Sequence, residues 1–175
     1  SAFLVRAVPM YGGPSEVPKP VWPQPFPYVT DLDKAKALMK EAGLESGFET
    51  TLSIDTGTAT VGEPTIVLIQ ESLAKIGIKA AINKIPGANW RTTLNKKELP
   101  LALNRFSGGL DSPEYYFYWN LHGNNSIFNI SSYQNKEMDE LIDKARFTTD
   151  TVEYEKSVKA FIALCIREVP VIPLN

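Results

Sequence analysis

The hydrophobic pattern switches repeatedly between the period of a strand and that of a helix, and this alternation limits the folds open to the chain. Apolar and polar residues alternate in "FETTLSID", which predicts a strand. "GEPTIVLIQESLAKIG" then predicts a helix with Pro64 near its first turn, and "IKAAINKI" predicts a second strand. A helix between two strands provides a crossover, so we expect these strands to be parallel.

The segments before and after this strand-helix-strand unit continue the alternation of helices and strands. "TDLDKAKALMKEAG" predicts an earlier helix with Thr30 as its N-cap and Gly43 as its stop. A short helix around Trp90 to Lys96 leads into "LPLALNRF", which predicts a third strand. The order of elements therefore predicts an α/β fold with helices layered against a sheet.

Two amphipathic helices and a final strand complete the order. The helices are predicted in "NKEMDELIDKA" and "DTVEYEKSVKAFIALCIRE", the second with Asp150 as cap and Glu153 in capping-box spacing. The prolines of the closing "VPVIPL" restrict that strand to an edge or a linker.

The amino-terminal stretch is rich in proline and predicts a different organisation from the rest. Seven of the 13 prolines lie between Pro9 and Pro27. We therefore expect residues 1–29 to be an extended segment packed on the domain, and residues 30–175 to be one α/β domain. The hydrophobic start and strand-like end suggest a piece of a larger protein.

Composition excludes several classes of function. Hydrophobic residues make up 43% and charged residues 22% of the 175 residues, as in folded globular chains. The net charge of −2 and the lack of a basic stripe argue against a nucleic-acid partner. The sequence contains no run of 18 apolar residues, so it predicts no membrane-spanning helix. The single cysteine, Cys165, is expected to be buried among apolar neighbours.

Residues suited to catalysis or metal binding are few. His122 is the only histidine and is interpreted as an ordinary loop residue. One His and one Cys far apart do not make a zinc site. "TGTATVGEP" has neither the lysine of a P-loop nor the spacing of a dinucleotide-binding loop. We therefore expect no enzyme activity, no cofactor and no metal.

Ligands of α/β sheets bind beyond the carboxyl ends of the strands, and three loops are predicted there. These loops are "DTGTATVG", "PGANW" and "RFSGGLDSP". The third continues into a helix with five consecutive aromatic residues at positions 115–119. Because consecutive helical residues point around the whole axis, one core face cannot cover all five rings. Some of them are expected to face a cleft or another domain.

Three side chains near these loops have two interpretations each. Asp111 either caps the following helix or accepts a hydrogen bond from a ligand. Trp90 either anchors the core or lines a cleft. Arg105, at the end of an apolar strand, either forms an ion pair or contacts a ligand.

A family resemblance covers nearly the whole chain in the right order. It is carried by "TDLDKAKALMKEAG", "IQESLAKIGIKAAI", a Trp, a strand leading to an acid-Pro motif, "NISSYQNKEMDELIDKA" and "REVPVIPL". These segments together resemble the third domain of family 5 extracellular solute-binding proteins, the receptors of ABC importers for peptides, nickel and related solutes. The resemblance implies one lobe of a type II periplasmic-binding-protein-like fold, with a mixed, mostly parallel sheet and helices on both faces.

The resemblance also implies a function and a site. A two-lobed receptor would close on a peptide or other small polar solute and deliver it to ABC permease subunits, with the other lobe in the same chain. Its location would be periplasmic or extracellular, with a lipid anchor left open. The alternative is a lobe that recognises a peptide or protein, or signals, without transport. By position, the implied ligand-binding residues are Trp90, Arg105, Phe106, Ser107, Gly108, Gly109, Leu110 and Asp111.

The sequence departs from the family pattern within this site. In peptide-binding members an acid holds the amino terminus of the ligand, and Gly109 stands at that position. Ser112 replaces a second acid, Phe106 takes a Trp position, and Asp111 is displaced by two residues. Since glycine offers no charge to an ammonium group, binding of a free-amine peptide is in doubt.

Overall fold

The computed structural model describes residues 29–105 and 112–172. They fall into two compact units, residues 29–105 (the α/β unit) and residues 112–172 (the helical unit). Nearly all of the predicted extended segment at residues 1–29 lies outside the described residues. That residues 30–175 form a single lobe stays a prediction.

The α/β unit contains a parallel sheet of three strands. These are β1 (Phe48–Asp55), β2 (Ile78–Ile85) and β3 (Leu101–Leu103), in the order β2-β1-β3. Both neighbours pair with β1 in parallel, with Leu52 opposite Ile82 on one side and Leu101 on the other. The predicted parallel crossover between the first two strands is confirmed.

Three α-helices accompany the sheet, namely α1 (Leu32–Glu41), α2 (Ala59–Ala74) and α3 (Gly87–Asn95). A 3₁₀ turn at Thr56–Thr58 joins β1 to α2. The predicted loop "DTGTATVG" is therefore mostly helical, and Pro64 lies inside α2 instead of near its first turn. Pro64 has no backbone N–H, so α2 lacks one helical hydrogen bond at this position.

Helix α1 differs from its prediction in two respects. Its N-cap is Asp31 and not Thr30, because the Asp31 carboxylate accepts a hydrogen bond from the Lys34 backbone N–H at 2.9 Å. No residue of α1 is buried, although its apolar residues share a stripe. The predicted stop at Gly43 is confirmed by its φ of 73°.

One face of the sheet and helix α2 enclose the core of the α/β unit. The buried residues of this core are Leu52, Ile54, Ile66 and Ala80. Burying a Leu or Ile side chain contributes about 1.5–3 kcal/mol. At the start of β1 and β2, Gly47 and Gly77 have φ of 75° and 85° and their backbones lie in contact.

The helical unit contains α4 (Pro113–Leu121), α5 (Lys136–Phe147) and α6 (Thr151–Glu168). The three helices bury one apolar cluster: Leu121, Met138, Ile142, Ala145, Val158, Phe161, Ile162, Leu164 and Cys165. Within the described ranges, no helix is long and apolar enough to cross a bilayer.

Side chains cap α5 and α6 at their N-termini. Asn135 accepts the Met138 N–H at 3.0 Å, and Asp150 accepts the N–H groups of Val152 and Glu153 at 2.8 and 3.1 Å. The predicted Asp150 cap is confirmed. The carboxylate of Glu153 pairs with Lys144. This ion pair lowers the pKa of the Glu153 carboxyl group.

The predicted strand in "VPVIPL" is wrong for residues 169–172, which have no strand structure. Val169 ends α6 in the left-handed conformation, with φ of 50° and ψ of 47°. Pro170 lacks the N–H that strand pairing requires. Residues 173–175 lie outside the described part of the chain.

The aromatic run of α4 has ring partners inside the helical unit. Phe117 contacts Phe161 with ring centroids 4.3 Å apart, and Trp119 meets Phe128 edge-on at 4.8 Å. Tyr118 lies under the Arg146 guanidinium, 3.7 Å from the ring centroid. The five rings are all half-buried, because partners approach this short helix from several directions. That they also face a cleft stays a prediction.

Candidate functional site

A cavity of about 160 Å³ lies in the α/β unit at the carboxyl ends of β1 and β3. Its lining comes from the ends of these two parallel strands, from the 3₁₀ turn and from α3. The lining residues are Asp55, Thr58, Trp90, Arg91, Leu94, Leu103, Asn104 and Arg105. This edge is where parallel sheets bind their ligands, so the cavity is the candidate site.

Trp90 forms a fixed wall of the cavity. Its ring is buried, as is Leu94 one turn later on α3. The indole Nε1–H donates a hydrogen bond to the Asn104 Oδ1 at 3.1 Å. Because burial and this bond hold both ends of the side chain, the indole offers a rigid apolar surface with its polar atom already satisfied.

Among the described lining residues, Asp55 supplies the only carboxylate. Its Oδ1 accepts the Gly57 N–H at 2.7 Å and caps the 3₁₀ turn, while its carbonyl oxygen accepts the Thr58 hydroxyl at 3.2 Å. A Cβ on Gly57 or on Gly87 would lie 3.2 Å from Oδ1. Glycine at both positions therefore keeps the space beside the carboxylate open.

The lining carries charges of both signs. The Asp55 carboxylate shares the cavity with the guanidinium groups of Arg91 and Arg105, and Arg105 is exposed. Guanidinium groups bind carboxylates through paired N–H donors, whereas a carboxylate accepts hydrogen bonds from N–H and O–H groups. The site can therefore bind acceptor and donor groups of one molecule.

The structure brings together two of the residues selected from the sequence. Trp90 and Arg105 line the same cavity. The other six, Phe106, Ser107, Gly108, Gly109, Leu110 and Asp111, lie outside the described residues. That any of the eight contacts a ligand stays a prediction.

Sequence reasoning missed several lining residues, including Asp55, Thr58 and Asn104. The loop after β1 is among those predicted to face the ligand, but no residue in it was selected. A usable signal is present, because an acid that directly ends a buried strand and precedes "TGT" combines a charge with a glycine. Asn104 is selected only by its contact with Trp90, which sequence spacing does not reveal.

His122 lies in the helical unit and has a structural environment. It is only 2% exposed, ends α4, and its Nδ1 accepts the Asn124 N–H at 3.1 Å. Its Nε2 lies 3.4 Å from the Asp143 Oδ2. It is thus buried between α4 and α5, which the interpretation as an ordinary loop residue missed. Within residues 29–105 and 112–172, no cluster of three potential metal ligands occurs.

A second cluster of polar side chains in the helical unit is centred on Glu168. Its carboxylate accepts hydrogen bonds from the Tyr133 hydroxyl and from the Asn135 side chain, and these bonds lower the pKa of Glu168. Burial and the same carboxylate raise the pKa of the Tyr133 hydroxyl. Burial, with the charge of Glu168, raises the pKa of the Cys165 thiol to about 12. The expected burial of Cys165 is confirmed.

Comparison with known proteins identifies the class. The family model described as "Bacterial extracellular solute-binding proteins, family 5 Middle" matches residues 2–128. The chain therefore belongs to family 5 of the bacterial extracellular solute-binding proteins. This is a family of binding proteins, and the resemblance inferred from the sequence is confirmed.

Particular relatives cover most of this chain. The glutathione-binding protein GsiB of Escherichia coli (strain K12) is 30% identical over 159 residues, which are 86% of this chain and 30% of GsiB. The periplasmic binding protein DppA of Helicobacter pylori, solved with the peptide STSA, is 28% identical with a TM-score of 0.78. It aligns with 85% of this chain, which covers 29% of DppA.

A second solved structure, HbpA2 of Haemophilus parasuis, is 25% identical with a TM-score of 0.79, over 89% of this chain and 31% of HbpA2. These similarities confirm the α/β class and the type II periplasmic-binding-protein-like fold. The three described strands are all parallel. The chain spans about 30% of the length of the curated relatives that it matches.

Proposed function

We propose that this chain is one lobe of a two-lobed receptor that captures a small polar solute or peptide and delivers it to the permease of an ABC importer. The observation that carries the proposal is the cavity at the carboxyl edge of the sheet, in a chain that belongs to a solute-binding family. The receptor acts without catalysis, and its place is the periplasm or the cell exterior.

The size of the cavity supports a shared site. Pockets that enclose a whole small molecule usually measure about 300–1,000 Å³, and this cavity measures about 160 Å³. It therefore fits one part of a solute, and the second lobe of the receptor would cover the remainder. Closure of two lobes around a ligand is a common way to bury it from water.

The relatives suggest the chemical class of the solute. GsiB is named for glutathione, and DppA was solved with the peptide STSA. Both molecules are short peptides with several hydrogen-bonding groups. We infer that Arg105 donates to acceptor groups of such a solute and that Trp90 packs against its apolar part. Contacts of Phe106 and Asp111 with the solute stay predictions from the sequence.

The test is solute binding by the full-length receptor that contains this chain. Isothermal titration calorimetry with reduced glutathione and with the tetrapeptide Ser-Thr-Ser-Ala is expected to show saturable binding of at least one. Arg105→Ala should weaken that binding by about tenfold or more, since hydrogen bonds to charged groups contribute about 1.5–3 kcal/mol.

Arg167→Ala is the matched control. It removes the same guanidinium from an exposed position of the helical unit, where Arg167 pairs with Glu137. Its affinity should equal that of the wild type. The proposal is contradicted if neither solute binds and native mass spectrometry finds the purified receptor free of any small molecule.

A further inference from the structure

The Asp55 carboxylate has a feature that its capping role does not explain. Capping the 3₁₀ turn requires one oxygen, and Oδ1 accepts the Gly57 N–H for that purpose. Within the part of the chain that the structure describes, the carboxylate forms no ion pair. A half-buried carboxylate on the lining of a cavity is therefore left with accepting capacity on Oδ2.

The surroundings of this carboxylate are kept open from two different loops. A Cβ on Gly57 would lie 3.2 and 3.3 Å from the two carboxylate oxygens, and one on Gly87 would lie 3.2 Å from Oδ1. Neither glycine has a positive φ, so the turn itself does not require glycine. Glycine at both positions therefore leaves space beside the carboxylate that a side chain would occupy, so a ligand group can approach it from there.

The charges on the cavity lining indicate which chemical groups of a ligand the cavity can bind. A carboxylate on β1 attracts a cation, and guanidinium groups on the same lining attract an anion. The α-ammonium and α-carboxylate of an amino acid lie on one carbon and present both charges within a few ångströms. A group of that size also suits a cavity of about 160 Å³.

We propose that Asp55 is a specificity-determining residue that binds the ammonium group of the solute, so that the cavity receives a zwitterionic amino-acid end whose carboxylate faces Arg105. This assignment rests on the proposed function and deepens it.

The experiment uses Asp55→Asn in the full-length receptor. The amide keeps an oxygen that can accept the Gly57 N–H, so the cap is retained while the charge is removed. Calorimetry compares reduced glutathione, whose γ-glutamyl end carries the ammonium and the carboxylate on one carbon, with N-acetylated glutathione, which lacks the ammonium group. Asp31→Asn is the matched control, because Asp31 caps α1 in the same way and does not line the cavity.

The wild type is expected to bind the free-amine form about 10- to 100-fold more tightly than the N-acetylated form, as a charge-assisted contact would give. Asp55→Asn should lose most of that preference by weakening the free-amine form alone. Asp31→Asn should keep it.

The outcomes separate this assignment from the proposed function. If the wild type binds a probe but Asp55→Asn retains its full affinity, or if the N-acetylated form binds equally well, the assignment to Asp55 is overturned alone. If the wild type binds neither form of glutathione, the assignment of a zwitterionic amino-acid end falls, whereas the proposed function stands as long as the receptor binds Ser-Thr-Ser-Ala or is purified with another small molecule.

Discussion

The two units of the chain use their polar side chains in opposite ways. In the helical unit, the buried Asn129 bonds within the fold: it is 1% exposed and donates to the carbonyl oxygens of His122 and Tyr133 while accepting the Tyr133 N–H. In the α/β unit, the charged groups of Asp55 and Arg105 line an open cavity instead.

This difference separates groups that stabilise the fold from groups available to a ligand. A buried polar group with all its partners inside the protein has no capacity left for a solute, and its loss costs stability. A charged group on a cavity wall contributes little to the fold and can bind a solute strongly. Variants of the two units should therefore affect different measurements.

The largest expected effect on stability lies in the backbone of the α/β unit. In Gly47→Ala the new Cβ would overlap the Gly77 carbonyl oxygen, and the residue would have to keep a φ of 75°. We expect a loss of about 3 kcal/mol or more in the free energy of unfolding, the range seen for severe steric defects. Urea denaturation monitored by circular dichroism measures it.

Gly43→Ala is the control for that variant. Gly43 has a similar φ of 73°, but a Cβ there would meet nothing within 4 Å. Only the conformational penalty remains, about 1 kcal/mol. Equal losses in the two variants would show that contact between Gly47 and Gly77 is unimportant.

An intermediate effect is expected from the polar network of the helical unit. Asn129→Ala removes the partners of two carbonyl groups and one N–H, and we expect it to lower the free energy of unfolding by about 2–4 kcal/mol. Solute affinity should be unchanged. Reaction of Cys165, the only cysteine of the sequence, with a thiol reagent would report opening of this unit.

Asn124→Ala serves as the comparison for Asn129→Ala, since Asn124 is exposed in the same loop. Its stability should stay within about 0.5 kcal/mol of the wild type. A large loss of solute affinity in Asn129→Ala, with the stability preserved, would break the distinction between the two units.

The smallest effect concerns the pH dependence of stability. The hydrogen bonds from Tyr133 and Asn135 lower the folded-state pKa of Glu168 below its unfolded value. Their stabilisation is therefore complete at neutral pH and is lost as the pH falls through the lowered pKa. Between about pH 6 and pH 3, the ordinary titration range of glutamate, the wild type should lose more stability than Glu168→Gln.

Chemical denaturation at a series of pH values measures this difference. Glu140→Gln is the control, because Glu140 pairs with Lys136 on the exposed face of α5. A wild type whose stability falls no faster than that of Glu168→Gln would show that these hydrogen bonds do not favour the ionised carboxylate.

Much of the fold was predictable because its signals are local. The alternation in β1, the apolar stripe of α2 and the stop at Gly43 each depend on residues within a few positions of one another. The features that were predicted wrongly are positions where two local structures compete, such as two possible N-caps or a helix end and a strand. Asp31 caps α1 in place of Thr30, and the left-handed Val169 ends α6 before the expected strand.

The location of the candidate site was predictable from the sequence, but most of the residues that line it were not. The rule that ligands bind at the carboxyl ends of parallel strands located the edge, and Trp90 and Arg105 lie there. Asp55 and Asn104 were missed because neither belongs to a recognised motif. Their importance depends on contacts with Gly57 and Trp90.

The sequence by itself determined the order of elements up to α6, the parallel crossover between β1 and β2, and the family, because periodicity, caps and motif order are properties of neighbouring residues. Only the tertiary structure decided which side chains share the cavity and which polar groups are satisfied within the helical unit. Residues 55, 90 and 105 are far apart in the chain and meet only when β1, α3 and β3 are assembled, so their joint chemistry follows from packing and has no local signature.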